Sequence, residues 1–163
     1  MSVKRCFIGL GSNLGDSQQI LKDAVFALAK LGEVKVSRLY ASPPMGPQDQ
    51  PDYVNAAVEL YTELTPLDLL DQLQRIENES GRVRLRRWGE RTLDLDLLFY
   101  ADEKIHNDRL TVPHVGITER DFVVLPLLDL ATDLTLEQQP LQQLACIKQP
   151  SATSIADANW YQA

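Results

Sequence analysis

The residues best suited to chemistry crowd one short stretch. The run RVRLRRWGER holds Arg82, Arg84, Arg86, Arg87 and Arg91 against a single acid, Glu90. The chain as a whole is acidic, with a formal charge of −7. A cation cluster in an acidic protein suits one polyanionic ligand better than a nucleic-acid track, which needs a broadly basic surface. Each guanidinium offers a planar fork of donors matched to phosphate oxygens. A solvated charge run is the plain alternative. Trp88 within it reads equally as a stacking platform or as an anchor for the loop.

Asp94 and Asp96 follow directly, in the run TLDLDLLFY. Side chains two apart on a strand share a face, so both carboxylates project together while Leu93, Leu95 and Leu97 point the other way. Two like charges side by side repel unless a cation lies between them. Hard divalent cations take oxygen ligands, and Mg²⁺ is commonly held by one or two carboxylates plus substrate phosphates. A solvent-facing strand edge is the rival reading. The arginines immediately upstream favour the metal, since metal and arginine neutralise the same phosphates.

Other polar residues say less alone. Gly9, Gly11 and Gly15 are spaced G-x-G-x-x-x-G, which is not the dinucleotide fingerprint, and no phosphate-loop Gly-Lys-Ser/Thr occurs. The run is read as a tight strand-to-helix turn beside a site. His114 and Arg120 are candidate cationic donors. His106 is assigned nothing.

Several elements must position these groups. Cys6 to Leu10 reads as a buried strand ended by Gly11-Ser12-Asn13. Asp16 with Gln19 is a capping-box-like start for a helix whose apolar stripe runs from Ile20 to Leu31, and Gly32 is its stop. Val34 to Tyr40 reads as a second strand and Asn55 to Thr62 as a third. Between them, four prolines in residues 42–51 exclude regular structure. Thr65-Pro66 opens a second helix, ended by Gly81. Thr92 to Tyr100 is a strand, and Ala101 to Arg109 connects it to another short one. Phe122 to Leu130 is helical with a break near Pro126, and Pro140 to Ile147 is a last short helix. The order β-α-β-β-α-β predicts an α+β, ferredoxin-like sandwich: an antiparallel sheet, helices on its faces and a helical C-terminal extension.

Composition fits one domain. The chain has 163 residues, 44% apolar and 24% charged, enough to bury a core without metal or disulfide support. Two cysteines make neither a disulfide framework nor a zinc quartet. No apolar run reaches the roughly 20 residues of a membrane span. The N-terminus lacks a signal-like apolar region, so a mature cytoplasmic protein is expected. A small RNA-binding module is the main rival class. The net charge and the lack of an aromatic pair on a strand count against it.

Five ordered segments resemble one family: FIGLGSNLGD, SPPMGPQDQPDYVNAAVEL, QRIENESGRVR, RWGERTLDLDLLF and LTVPHVGITERDF. The sequence is similar to the 6-hydroxymethyl-7,8-dihydropterin pyrophosphokinases of folate biosynthesis from about Phe7 to Leu130. The resemblance implies transfer of pyrophosphate from ATP to the pterin hydroxymethyl oxygen, with release of AMP. It implies one pyrophosphokinase domain over residues 1–163 with a polar tail from about 149, acting as a monomer on small molecules, without nucleic acid or membrane. Two Mg²⁺ ions would be held by Asp94 and Asp96, with Arg82 and Arg91 joining those aspartates in catalysis. Asn55 would read the pterin edge, helped by Ser42, Pro43, Pro44 and Met45, with Tyr53 and Phe122 sandwiching the ring. Gln74, Glu77, Arg82, Arg84, Trp88, Arg91, Leu97, Arg109, Thr111, His114 and Arg120 would surround ATP. Ser42 stands where threonine is frequent, a mild change if its backbone does the work. Residues 43–53 and 82–91 would close over the site. A catalytically dead ligand-binding relative is the rival reading here, and retention of Asp94, Asp96, Arg82, Arg91 and Asn55 counts against it.

Overall fold

The computed structural model describes residues 2–13, 16–43, 52–80, 93–136, 138–148 and 150–162. Its centre is an antiparallel sheet. β1 (Lys4–Ser12) lies between β4 (Tyr53–Thr62) and β5 (Asp94–Tyr100). β2 (Glu33–Val36) and β3 (Leu39–Ser42) share the far edge of β4, and β10 (Thr153–Ala156) pairs with β3. Two small ribbons lie outside this sheet: β6 (Ile105–His106) with β7 (Thr111–Val112), and β8 (Thr135–Leu136) with β9 (Gln139–Pro140). The expected ferredoxin-like α+β arrangement is what the strand order and the helices give.

Two helices cover one face. In α1 (Ser17–Leu28) the Asp16 side chain accepts from the Gln19 backbone N–H, as the sequence predicts. In α2 (Pro66–Glu79) Thr65 does the same for Asp68, with Pro66 at the first helical position. Leu21, Ala24, Val25 and Leu28 of α1, with Leu69, Leu73 and Ile76 of α2, pack on Cys6, Ile8 and Leu10 of β1 and on Leu95 and Leu97 of β5. Strand alternation sends the other set to the opposite face. There Phe7, Ala57 and Phe99 meet Val124 and Leu127 of α3 (Asp121–Leu130). Phe7 and Phe99 stack edge to face, 6.2 Å between centroids. At the far end of that face Arg5 bonds to buried Glu59 and to Asp133, with its guanidinium 4.9 Å over the Phe7 ring.

Several expectations need correction, each for a non-local reason. β1 does not stop at Leu10: it runs through Gly9 and Gly11 to Ser12, because both neighbouring strands pair with it that far. The second strand is broken at Ser37. Its hydroxyl takes the Ala57 N–H at 2.8 Å in place of a main-chain carbonyl, and its own carbonyl accepts the Trp160 indole N–H at 2.9 Å. In β5 the alternation fails after Leu97, where a bulge inserts Leu98 opposite the Phe7–Ile8 step. α3 is continuous through Pro126, held to the sheet by Asp129, which accepts from Tyr40 Oη at 2.8 Å and from the Arg38 N–H. Residues 140–147 form two 3₁₀ turns, Leu141–Gln143 and Ala145–Ile147, rather than one helix. The polar stretch after 149 supplies β10 and a buried indole, Trp160.

Both cysteines are free thiols. Burial pushes the Cys6 thiol up to about 12, so it packs as a small apolar group.

Gly32 is not the cap of α1, which ends at Ala29. A Cβ at residue 32 would stand 1.9 Å from the Tyr61 carbonyl oxygen. Gly32→Ala is therefore expected to destabilise the protein by about 1–3 kcal/mol, as overpacking against backbone does. Chemical denaturation checks this; an unchanged midpoint would mean the turn relaxes freely.

Candidate active site

The α3 face of the sheet is only half filled. Along β1 its residues are Phe7, Gly9 and Gly11, so the core ends at Phe7 and the strand then offers no side chain. Opposite Gly11 stand Asp94 on β5 and Asn55 on β4; opposite Gly9 stand Asp96 and Ala57. The two carboxylates and the amide thus face one space across a bare central strand. A side chain at either glycine would crowd this space. A Cβ at Gly11 would lie 3.3 Å from Asn55 Oδ1, and one at Gly9 would lie 3.3 Å from Leu98 Cδ1.

The space is a cavity of about 410 Å³. The end of β3 supplies Ser42 and Pro43, β4 supplies Tyr53 and Asn55, and the start of α3 supplies Phe122 and Val123. On the other side, α2 contributes Leu70, Gln74 and Glu77 from one helical stripe, and His114 and Arg120 come from the segment before α3. One wall is therefore aromatic with an amide, and the other is polar and charged.

Individual orientations are fixed by hydrogen bonds. Asn55 Nδ2 donates to Ser42 Oγ at 2.8 Å, with both residues buried. That leaves the amide oxygen and the second N–H for a ligand. The Ser42 side chain thus orients Asn55. Glu77, 6% exposed, accepts the Leu95 N–H at 2.8 Å, the main-chain donor between the two aspartates on the outer edge of β5. His114 Nδ1 accepts from the Gly116 N–H at 3.1 Å, which puts the ring proton on Nε2. That Nε2 lies 3.8 Å from Asp96 Oδ1. Arg120 folds over Gly116, where a Cβ would come within 2.8 Å of its guanidinium carbon.

Most of the candidate residues within the described chain meet in this cavity: Ser42, Pro43, Tyr53, Asn55, Gln74, Glu77, Asp94, Asp96, His114, Arg120 and Phe122. Three do not line it. Leu97 sits in the core at 2% exposure, on the α1–α2 face. Arg109 lies at the rim, donating to Asp71 at 2.6 Å and to the cavity residue Gln74 at 3.4 Å. Thr111 belongs to the β6–β7 ribbon, its hydroxyl 3.4 Å from His106 Nδ1. Pro44, Met45, Arg82, Arg84, Trp88 and Arg91 lie outside the described residues, and so do most of the two segments expected to close. Sequence reasoning took the glycine run for a turn and missed the bare strand. The signal was Gly9-x-Gly11, the same period-2 spacing as Asp94-x-Asp96.

The comparisons with known proteins agree on one family. The model of 7,8-dihydro-6-hydroxymethylpterin-pyrophosphokinase matches residues 7–132. The 2-amino-4-hydroxy-6-hydroxymethyldihydropteridine pyrophosphokinase of Haemophilus influenzae is 57% identical over 133 residues, covering 80% of this chain and 83% of the relative. That of Bacillus subtilis is 44% identical over 134 residues, covering 80% of each. The folic acid synthesis protein fol1 of Schizosaccharomyces pombe is 39% identical over 91% of this chain, which spans 21% of that longer protein. Among solved structures, the HPPK-DHPS of Plasmodium falciparum with pterin and p-hydroxybenzoate superposes with a TM-score of 0.68. It covers 88% of this chain and 42% of its own at 17% identity, a likeness of fold.

The Glu77–Leu95 bond makes a test that needs no ligand identity. A glutamine keeps an oxygen acceptor there, whereas alanine leaves a buried N–H unmatched at a cost of about 1–3 kcal/mol. Glu77→Ala should lower stability by about that much, and Glu77→Gln should recover most of it. Thermal denaturation of both variants decides; equal losses would show that the charge, rather than the acceptor, matters.

Proposed function

The chain belongs to the 7,8-dihydro-6-hydroxymethylpterin-pyrophosphokinase family, and from that premise we propose how its own residues divide the work. It transfers pyrophosphate from ATP to 6-hydroxymethyl-7,8-dihydropterin, giving AMP and the pterin diphosphate for folate synthesis. The observation that carries the residue assignment is the row Asp94–Gly11–Asn55, which brings anionic and amide chemistry to one face.

We assign the pterin to the wall of Ser42, Pro43, Tyr53, Asn55 and Phe122, with Pro44 and Met45 completing it. A flat heterocycle with a polar edge needs two apolar ring faces and a group that both donates and accepts. Tyr53 and Phe122 are the former and Asn55 the latter. ATP is assigned to the wall of Gln74, Glu77, His114 and Arg120, with Arg109 at its rim, Thr111 beyond it and Leu97 reached through its backbone. Arg82, Arg84, Trp88 and Arg91 belong to the same half by sequence.

In the reaction the hydroxymethyl oxygen attacks the β-phosphorus of ATP. The new O–P bond forms as the bond from that phosphorus to the α–β bridging oxygen breaks, and AMP leaves with that oxygen. The Asp94 carboxylate receives the hydroxyl proton. Such a transfer asks mainly for positioning and neutralised charge. Arg82, Arg91 and Arg120 meet charge on the transferring phosphates, and the His114 Nε2–H is a further donor. The pair Asp94 and Asp96 offers only oxygen ligands, partly exposed and on one face, which suits Mg²⁺. Two such ions would be held there, supplying neutralisation of the phosphate charge. We propose that the protein acts as a monomer, and the co-substrate ATP favours the cytoplasm. No helix among the described residues is long and apolar enough to cross a membrane.

Incubation with ATP, Mg²⁺ and the hydroxymethyl pterin should yield AMP, followed by ³¹P NMR; ADP or inorganic phosphate instead would refute the reaction. Asp94→Asn and Asp96→Asn should each lower turnover by about a hundredfold or more while the fold survives. Near-normal activity of either variant at low Mg²⁺ would remove that residue from the metal site. Asn55→Ala should weaken pterin binding about tenfold, since a polar edge left unmatched costs about 1–3 kcal/mol. ATP affinity should hardly change, and titration calorimetry with each ligand separates the two.

A further inference from the structure

The family match ends at residue 132, yet residues beyond it close onto the pterin wall. β10 runs antiparallel to β3, and β3 ends at Ser42 beside Pro43. Just before β10, the Ala152 N–H donates to Asp121 Oδ2 at 2.8 Å. The Ser151 N–H donates to the same oxygen, and the Ser151 hydroxyl reaches it at 3.2 Å. Asp121 opens α3 and is 7% exposed. Its chain neighbours on either side, Arg120 and Phe122, both line the cavity. After β10, the Trp160 indole is fastened to the Ser37 carbonyl at the other end of β3. One segment therefore ties the start of α3 to Leu39–Ala41 of β3 and to Ser37 just before it.

We infer that Asp121 is a positioning residue for the pterin: through Ser151 and Ala152 it fixes the gap between Phe122 and the Ser42–Pro43 wall. The inference rests on the reading of that wall as the pterin subsite. A nearly buried carboxylate is tolerable only when its oxygens are matched by donors. Here the donors belong to a segment that is itself hydrogen-bonded to β3. Loss of the tie lets the first turn of α3 shift relative to β3, and displacements well under 1 Å matter in a ring-sized slot. Gln74, Glu77 and the two aspartates stand on α2 and β5, which this tie does not touch. Of the residues assigned to ATP only Arg120 adjoins Asp121, so the effect should fall mainly on pterin and only weakly on ATP.

Coupling of this kind is reciprocal. In the unaltered protein, 6-hydroxymethyl-7,8-dihydropterin should slow amide hydrogen exchange at Ser151 and Ala152, and a non-hydrolysable ATP analogue alone should not. Asp121→Asn places an amide nitrogen among these donors and should raise the pterin Kd about tenfold, leaving the analogue's Kd within about twofold. Ser151→Ala, which removes one contact and no charge, should give a smaller shift of the same kind. A purely structural role would lower Tm with both Kd values unchanged, or weaken both equally, and either result overturns the inference. Should Asp121→Asn not fold, the exchange measurement and Ser151→Ala decide. Failure of the unaltered protein to bind the pterin would overturn the subsite reading itself. Tight binding with no exchange change and no Kd shift would overturn only the role of Asp121.

Discussion

A close-packed sheet with helices on both faces has no room for a substrate unless some strand gives up its side chains. In this protein β1 does so at Gly9 and Gly11, and most features of the site follow from that vacancy. β1 is the strand between β4 and β5, so the bare positions are flanked on both sides by residues that point into the same space. Asp94, Asp96 and Asn55 gain access to one cavity because nothing stands between them. Placed on an edge strand, the same glycines would have opened a notch with functional groups on one side only. Glycine in a strand interior weakens it. Ladders on both sides of β1, together with the full core beneath Cys6, Ile8 and Leu10, offset that cost.

The second constraint is electrostatic. Asp94 and Asp96 project from one strand face, so their mutual repulsion is built into the fold. Asp96 has His114 Nε2 at 3.8 Å, a weak contact with partly exposed partners that stabilises little by itself. Glu77 adds a third carboxylate to the same cavity, though one of its oxygens is occupied by the Leu95 N–H. On the proposed assignment, cations and a polyanion complete this balance. The arginine-rich run just upstream of β5 in sequence is the complement that such a balance calls for.

Much of this was legible in the sequence, where the signal was local. The caps at Asp16 and Thr65 and the face-sharing of Asp94 and Asp96 depend on neighbours within a few residues, and the structure has them. The failures share a different cause. The break at Ser37 depends on Ala57 and Trp160, the bulge at Leu98 on pairing with β1, and the need for Gly32 on the Tyr61 carbonyl. None of these partners is adjacent in sequence. The glycine run was read as a turn because Gly-rich segments between a strand and a helix usually are turns. Its period of two was the clue that it continued the strand.

The distribution of core and cavity also bears on how such a site tolerates its own polarity. One face of the sheet carries the larger core, uninterrupted from Leu21 on α1 to Leu73 and Ile76 on α2. The other face is divided: a smaller core around Phe7, Phe99, Val124 and Leu127 fills one half, and the cavity takes the other. Helix α3 spans the division, with its apolar stripe on the core and its first turn at the cavity. The elements bearing Asp94, Asp96 and Asn55 thus rest on a packed layer, of which Leu10, Leu70 and Leu95 also reach the cavity. The start of α3 lacks such backing and is held instead by a polar tie, Asp121 to the C-terminal segment, while Asp129 to Tyr40 holds its other end. Rigidity at the metal-binding candidates comes from hydrophobic packing, which depends on no directional bond. Rigidity at the aromatic wall comes from hydrogen bonds, which are directional and exchange with water when strained. Of the two walls, the aromatic one is therefore the one whose spacing the rest of the chain, including residues far away in sequence, is in a position to adjust.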